Sequence, residues 1–244
     1  MADRLPLHDL HVQAGAVIGA PGGVDLPVSY GDPAAEHRAV RTAVGVADRS
    51  LDGVVEVTGK DRVSFLNGML TNDVQRLQPG QGCAAAFLDA RGKVQMLLRV
   101  LALEDRLLLV VPGGAGARTQ EALEKYHFAE RLEIRDASDE WALFLLAGPE
   151  TPRAVERLTG AALPPAPWDH AEAEIGALTI RVARGRGETG ETEAWLLARR
   201  ADGPAVWAAI LAAGARPVGL TALDVLRVEA GTPWLGHDVA EKVL

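Results

Sequence analysis

The strongest constraint on this chain's fold is an order of elements that occurs twice. Val54 to Val57 has the β-branched pattern of a strand, and Thr58-Gly59-Lys60 turns the chain. Asp61 to Leu70 then has the spacing of a helix, with Val63, Phe65, Leu66, Met69 and Leu70 apolar. Strand patterns follow near Ala84 to Leu88, Val94 to Leu103 and Leu107 to Val111, and a turn at Gly113 to Gly116 leads into a helix over Arg118 to Tyr126. The order returns with a strand at Ala142 to Leu146, a turn at Gly148-Pro149 and a helix at Thr151 to Leu158. Strands near Leu178 to Val182 and Ala194 to Ala198 and a helix from Pro204 to Ala213 complete it. Gly59 and Gly148 each stand between a strand and its helix. A period of about ninety residues is too long for a solenoid repeat and fits a duplicated domain.

The strands follow one another too closely for parallel crossovers, so their sheets are expected to be antiparallel. The expected class is α+β, a single domain of two pseudo-symmetric halves at about residues 45–137 and about 138–231. Such halves leave a crevice at their junction, a common place for a ligand. Residues 1–32, rich in Gly and Pro, read as an irregular lead-in, and Pro33 opens a helix over Ala34 to Val44 that stops at Gly45.

Composition narrows the function classes. The net charge of −8 repels phosphate backbones, which argues against a general nucleic-acid binder and leaves open only a local basic groove. Cys83 is the only cysteine, so no intramolecular disulfide can form. No apolar run is long enough to span a bilayer, and the start Met1-Ala2-Asp3-Arg4-Leu5-Pro6 lacks the pattern of a signal peptide. A cytoplasmic protein with no membrane partner is the expectation.

Most familiar site motifs fail on inspection. Gly113-Gly114-Ala115-Gly116 sits between a strand and a helix, but Thr119 stands where a dinucleotide fingerprint has its third glycine. Gly59-Lys60-Asp61 has no Ser or Thr after the lysine, so it is no P-loop. None of the six histidines pairs with another His or Cys at metal-ligand spacing, and no metal site is expected. Cys83 has no positioned base, and Trp168, amid prolines, reads as a loop anchor.

The richest segment runs from Gly219 to Gly231. Thr221 reads as an N-cap, Asp224 stands at the third helical position, and Gly231 with Pro233 ends the helix. Leu223, Leu226 and Ala230 form the apolar stripe, with Arg227 within about 40° of its axis. A guanidinium so close to a buried stripe needs a partner, which Asp224 at i−3 can supply. Alternatively, Arg227 aims one edge of its fork into the crevice to hold a carboxylate or carbonyl.

Several of these residues carry a family resemblance. Gly45-Val46-Ala47-Asp48-Arg49-Ser50, Val57-Thr58-Gly59-Lys60-Asp61-Arg62 and Phe65-Leu66-Asn67-Gly68-Met69-Leu70-Thr71-Asn72-Asp73-Val74 resemble the folate-binding fold. The glycine-cleavage T-protein (aminomethyltransferase) and the YgfZ proteins share that fold. Leu226-Arg227-Val228-Glu229-Ala230-Gly231 followed by Gly236-His237-Asp238 is a second match. The resemblance covers Pro33 to Asp238 and implies a tetrahydrofolate cofactor. It also implies that Glu191, in Thr189-Gly190-Glu191, grips the pterin ring, and that Arg227 is the family's helix arginine. A carboxylate suits the first task because the pterin edge offers adjacent N–H donors.

Two departures bear on activity. Where aminomethyltransferases carry a catalytic aspartate, the resemblance puts Met96, and a thioether can hold neither the proton nor the charge. The family's asparagine after the strand Leu107 to Val111 is Pro112. Both losses resemble the YgfZ branch, whose proteins maintain iron–sulfur proteins with folate as cofactor. Against that branch, the sequence stops at Leu244, ahead of its Lys-Gly-Cys-Tyr-x-Gly-Gln-Glu motif and of the family's C-terminal barrel, as a truncated chain or a natural short form would. The resulting expectation is a YgfZ-like tetrahydrofolate-binding protein without transferase activity and with iron–sulfur client proteins as partners. Glu191 and Arg227 would contact the ligand, with Asp224 orienting the arginine. The alternatives are a diverged aminomethyltransferase with a different carboxylate, and a folate-free scaffold for other proteins.

Overall fold

The computed structural model describes residues 3–239. The early chain forms β1 (Asp3–Arg4), α1 (His8–Gln13), β2 (Val17–Gly19), β3 (Val24–Ser29), α2 (Pro33–Thr42) and β4 (Gly45–Asp48). Next come β5 (Gly53–Gly59), α3 (Arg62–Met69), β6 (Gly82–Leu88), β7 (Val94–Ala102), β8 (Arg106–Val111), α4 (Gly116–Glu124) and β9 (Leu132–Asp136). The remainder is β10 (Trp141–Ala147), α5 (Thr151–Thr159), β11 (His170–Ile175), β12 (Leu178–Arg184), β13 (Glu193–Arg199), α6 (Gly203–Ala212), β14 (Arg216–Pro217) and α7 (Leu220–Glu229). No helix among the described residues is long and apolar enough to cross a membrane.

Contacts divide the chain into two units. The first holds the residues up to Ser50, Trp141–Pro165 and Ala171–Thr232; the second holds Leu51–Glu140, Ala166–His170 and the described residues from Pro233 on. In the second unit the sheet order is β6-β7-β8-β5-β9, with β5 antiparallel to both β8 and β9. In the first, the larger sheet runs β11-β12-β13-β10-β4-β14, with β10 antiparallel to β13 and to β4. In each unit, then, a strand, a helix and three more strands close back on the first strand, β5 beside β8 and β10 beside β13. Gly59 and Gly148 mark the recurring turn at φ +93 and +135, where a Cβ would lie 2.4 and 2.3 Å from the carbonyl oxygens of Arg131 and Ala43. Only glycine meets both demands.

Alternation along the strands builds the cores. In the first unit Phe144, Leu146, Val182 and Leu196 from the sheet meet Val206, Trp207 and Ile210 of α6. In the second, Val55, Val57, Met96, Leu98 and Val100 from the sheet meet Phe65 and Leu66 of α3 and Leu123 of α4.

The first thirty residues depart from the irregular lead-in expected of them. β3 pairs with β1 in parallel and with β2 antiparallel, and α1 lies between β1 and β2 in the chain. Their Gly and Pro content hid short strands that tertiary contacts fix. His11 of α1 is wholly buried, 4.9 Å from the Trp207 ring. His11 Nε2 lies 2.8 Å from Asp48 Oδ2, and Nδ1 lies 2.8 Å from the Tyr30 hydroxyl. An ionised Asp48 can only accept, so Nε2–H donates to it, and in the neutral ring Nδ1 accepts from Tyr30. Burial, then the charges of Asp48 and Glu36, push the Tyr30 hydroxyl's pKa up and keep it a donor.

Removing the imidazole takes away the partner of Asp48 Oδ2 and leaves the buried carboxylate only the Ser50 backbone N–H, on Oδ1. His11→Ala is expected to cost about 3–5 kcal/mol, read as a lower urea midpoint at unchanged m. A loss below about 1 kcal/mol, the size of a solvent-exposed pair, would refute this account of the N-terminal segment.

Candidate functional site

Two helices and one loop of the first unit carry the candidate side chains. Helix α2 starts sharply because the Asp32 side chain accepts from the backbone N–H groups of Ala34 and Ala35, at 3.0 and 3.1 Å, with Pro33 in its first turn. Its last turn carries Arg41. Val40 of α2 packs with Ala147, Val218 and, from α7, Ala222 and Leu226. Glu36 is buried and bridges the surroundings of α2. Its Oε1 accepts from the backbone N–H of Tyr30 at 2.6 Å, and Oε2 from that of Gly219 at 2.8 Å.

That second bond corrects one boundary. Thr221 does not cap α7; Gly219 does, without a side-chain bond, and the helix begins at Leu220. The buried face of α7 comprises Ala222, Leu223, Leu226 and Arg227, while Ala230, expected in the stripe, is exposed.

Arg227 is 6% exposed. Its Nε donates to Asp224 Oδ1 at 2.8 Å, its Nη2 lies 2.7 Å from the same oxygen, and its Nη1 donates to the Thr232 carbonyl at 3.3 Å. The Asp224 side chain is 51% exposed. The pair thus spans the boundary of the unit: the cation lies inside and its carboxylate faces water.

Glu191 lies in the loop between β12 and β13. Buried Glu193, the first residue of β13, organises that loop from below and is only 1% exposed. Its Oε1 accepts from the Thr189 backbone N–H at 2.6 Å and from the Thr189 hydroxyl at 2.8 Å, and its Oε2 from the Gly187 N–H at 3.0 Å. Burial, reinforced by the nearby Glu188 charge, raises the Glu193 pKa above its ordinary value. Glu188 in turn lies 3.1 Å from Arg49, whose guanidinium covers the Trp195 ring at 5.3 Å.

From above, Arg41 holds the same loop. Its Nη1 donates to the Thr189 carbonyl at 2.9 Å and to Glu191 Oε1 at 2.8 Å, and its Nη2 donates to Glu229 Oε2 at 2.6 Å. His37, one turn earlier on α2, reaches Glu229 Oε2 at 2.9 Å. Arg41 first, then His37, hold the Glu229 carboxyl below its ordinary value. Glu191 is therefore tied, through one guanidinium, to the helix that carries Asp224 and Arg227.

Sequence reasoning missed Arg41, Glu193 and Glu229. The one signal for the first was its spacing from His37, which places both on one face of α2. In the second unit, Met96 lies on β7 opposite Phe87, is 2% exposed and belongs to the apolar core. Trp168 is buried at φ 66, with the Arg99 guanidinium 5.4 Å above its ring.

This α+β architecture is the aminomethyltransferase fold. The crystal structure of glycine cleavage system aminomethyltransferase T from Bartonella henselae matches with a TM-score of 0.88 at 27% identity, over 99% of this chain and 66% of that one. The chain belongs to the GCVT N-terminal domain family, which it matches over residues 7–243. The aminomethyltransferase of Geobacillus kaustophilus is 36% identical over 253 residues, 100% of this chain and 68% of that protein. That of Thermus thermophilus is 34% identical over 241 residues, 98% of this chain and 69% of that protein. The chain spans about two thirds of the length of these relatives.

The Glu193 environment predicts a pH dependence. Because its carboxyl has a raised pKa in the fold, the native state keeps that proton to a higher pH than the unfolded chain does. Its contribution is full below the ordinary value of 4.5 and is lost as pH rises through the raised value. Relative to Glu193→Gln, the wild type should lose stability as pH climbs from 4.5 towards neutrality in a series of urea titrations. Parallel curves for the two proteins would show that the side chain titrates alike folded and unfolded.

Proposed function

We propose that this chain binds a reduced folate, tetrahydrofolate or a derivative, and is a diverged member of the aminomethyltransferase class. One observation carries the reading. Glu191 has Oε1 fixed by Arg41, while among the described residues its Oε2 has no hydrogen-bond partner. A carboxylate oxygen with one bond still has a lone pair free, so the two oxygens together can accept from adjacent N–H donors on a pterin edge. The donor set therefore fits the cofactor that the family resemblance implies.

In this reading Glu191 orients the ring. Arg227, its fork held by Asp224 and the Thr232 carbonyl, holds a carboxylate or carbonyl of the ligand. Bound folate supplies the nitrogens that accept a one-carbon unit, and the protein supplies orientation. The names of the relatives favour transfer over a purely binding role.

Met96 supports a second reading. The position that the resemblance gives to the proton-handling carboxylate is a thioether in the apolar core of the second unit. Transfer would then draw on another carboxylate, or the folate is held without transfer, in support of iron–sulfur proteins as in the YgfZ branch.

Titration with 5-formyl-tetrahydrofolate tests the common core of both readings. The wild type should bind saturably, and Glu191→Ala should weaken binding about 10–100-fold, the range for charge-assisted hydrogen bonds. No saturable binding by the folded protein would end the proposal. A glycine-cleavage assay separates the two readings: aminomethyl transfer supports the first, and binding without turnover the second.

A further inference from the structure

We infer that Arg41 is the positioning residue that sets Glu191 for its ligand, an inference that rests on the folate reading above. Three acceptors meet on this one fork: the Thr189 carbonyl and Glu191 Oε1 on the loop, and Glu229 Oε2 on α7. The arginine thus joins the loop that ends in the pterin hook to the helix that bears Arg227.

The contact is close as well as charged. A Cβ on Gly190 would stand 3.3 Å from Arg41 Nη1 and 3.4 Å from the Ala230 Cβ, so the loop runs flush beneath the guanidinium and against the end of α7. Gly190 holds φ +82, which few other residues adopt without strain. With Glu193 gripping the Gly187 and Thr189 amides from the buried side, the loop is bonded on both faces.

Charge gives the arginine a second task. Glu191 and Glu229 each lie within hydrogen-bond distance of Arg41, so the guanidinium separates and neutralises two carboxylates. Without it, Glu191 loses the bond that fixes Oε1 and meets the repulsion of Glu229, which then keeps only His37 as partner, and the hook turns away from its ligand-accepting orientation. Lysine cannot repeat the arrangement, because an ammonium is a point charge and lacks the planar fork that serves three acceptors at once.

A double-mutant cycle on 5-formyl-tetrahydrofolate affinity tests this, with circular dichroism to confirm folding. Arg41→Ala should weaken binding about 10-fold in the wild type and less than about 2-fold in Glu191→Ala, because an arginine acting through Glu191 has nothing left to position. Arg41→Lys should recover part of the loss. Equal weakening in both backgrounds would overturn the inference and assign Arg41 to stability or direct contact; unchanged affinity on Arg41→Ala would overturn it outright. If Arg41→Ala does not fold, Arg41→Gln, which keeps the length and a donor pair, runs the same cycle. Wild-type binding with an intact Glu191→Ala effect but no coupling sinks the Arg41 inference alone. Unchanged affinity in Glu191→Ala sinks the assignment of Glu191, and this inference with it.

Discussion

The candidate site depends on α2 and α7 staying side by side. Apolar contact among Val40, Val218, Ala222 and Leu226 provides the attraction, which has no direction of its own. The direction comes from Glu36, whose two oxygens are spent on the backbone of Tyr30 and of Gly219. A buried carboxylate must find such donors or lose far more than a hydrogen bond, so the entry to α7 is fixed relative to α2. Arg41 then leaves α2 where Glu229 of α7 can meet it.

Much of this was legible in the sequence, and the rest was hidden for identifiable reasons. The repeated strand–helix order could be read because buried strands and amphipathic helices leave periodic marks. The Asp224–Arg227 spacing could be read because partners three apart on a helix need no knowledge of the tertiary fold. Arg41 could not be found that way. Its acceptors lie 150 and 188 residues further along the chain, and a cation in the last turn of a helix usually means no more than a favourable dipole. Glu193 was hidden because an acidic turn rich in Gly and Thr looks like solvated surface, and only the fold shows that one of its carboxylates points inward. β1 and β2 escaped notice because they are too short to display alternation, and Pro27 inside β3 argues against a strand in isolation.

Met96 and Glu191 differ in kind. At Glu191 the chain keeps a charged group with one oxygen fixed and the other left over. At Met96 it keeps an apolar group packed as tightly as its neighbours on β7. The two side chains differ in surroundings as well as in chemistry, Met96 lying in the apolar core of its unit and Glu191 in an ion-paired loop.

The sheet of the first unit has a consequence for biosynthesis. β4 pairs with β10 through Asp48 and Phe144, and the whole of Leu51–Glu140 is threaded between them. A chain emerging from the ribosome therefore offers a nearly contiguous second unit, able to form its own five-stranded sheet, before the first can be finished. Until β10 has been translated β4 must wait with its apolar residues uncovered, and the buried side of α2 waits longer still, for α7. A fold whose later half closes over a strand made before residue 50 is thus most vulnerable to aggregation midway through translation.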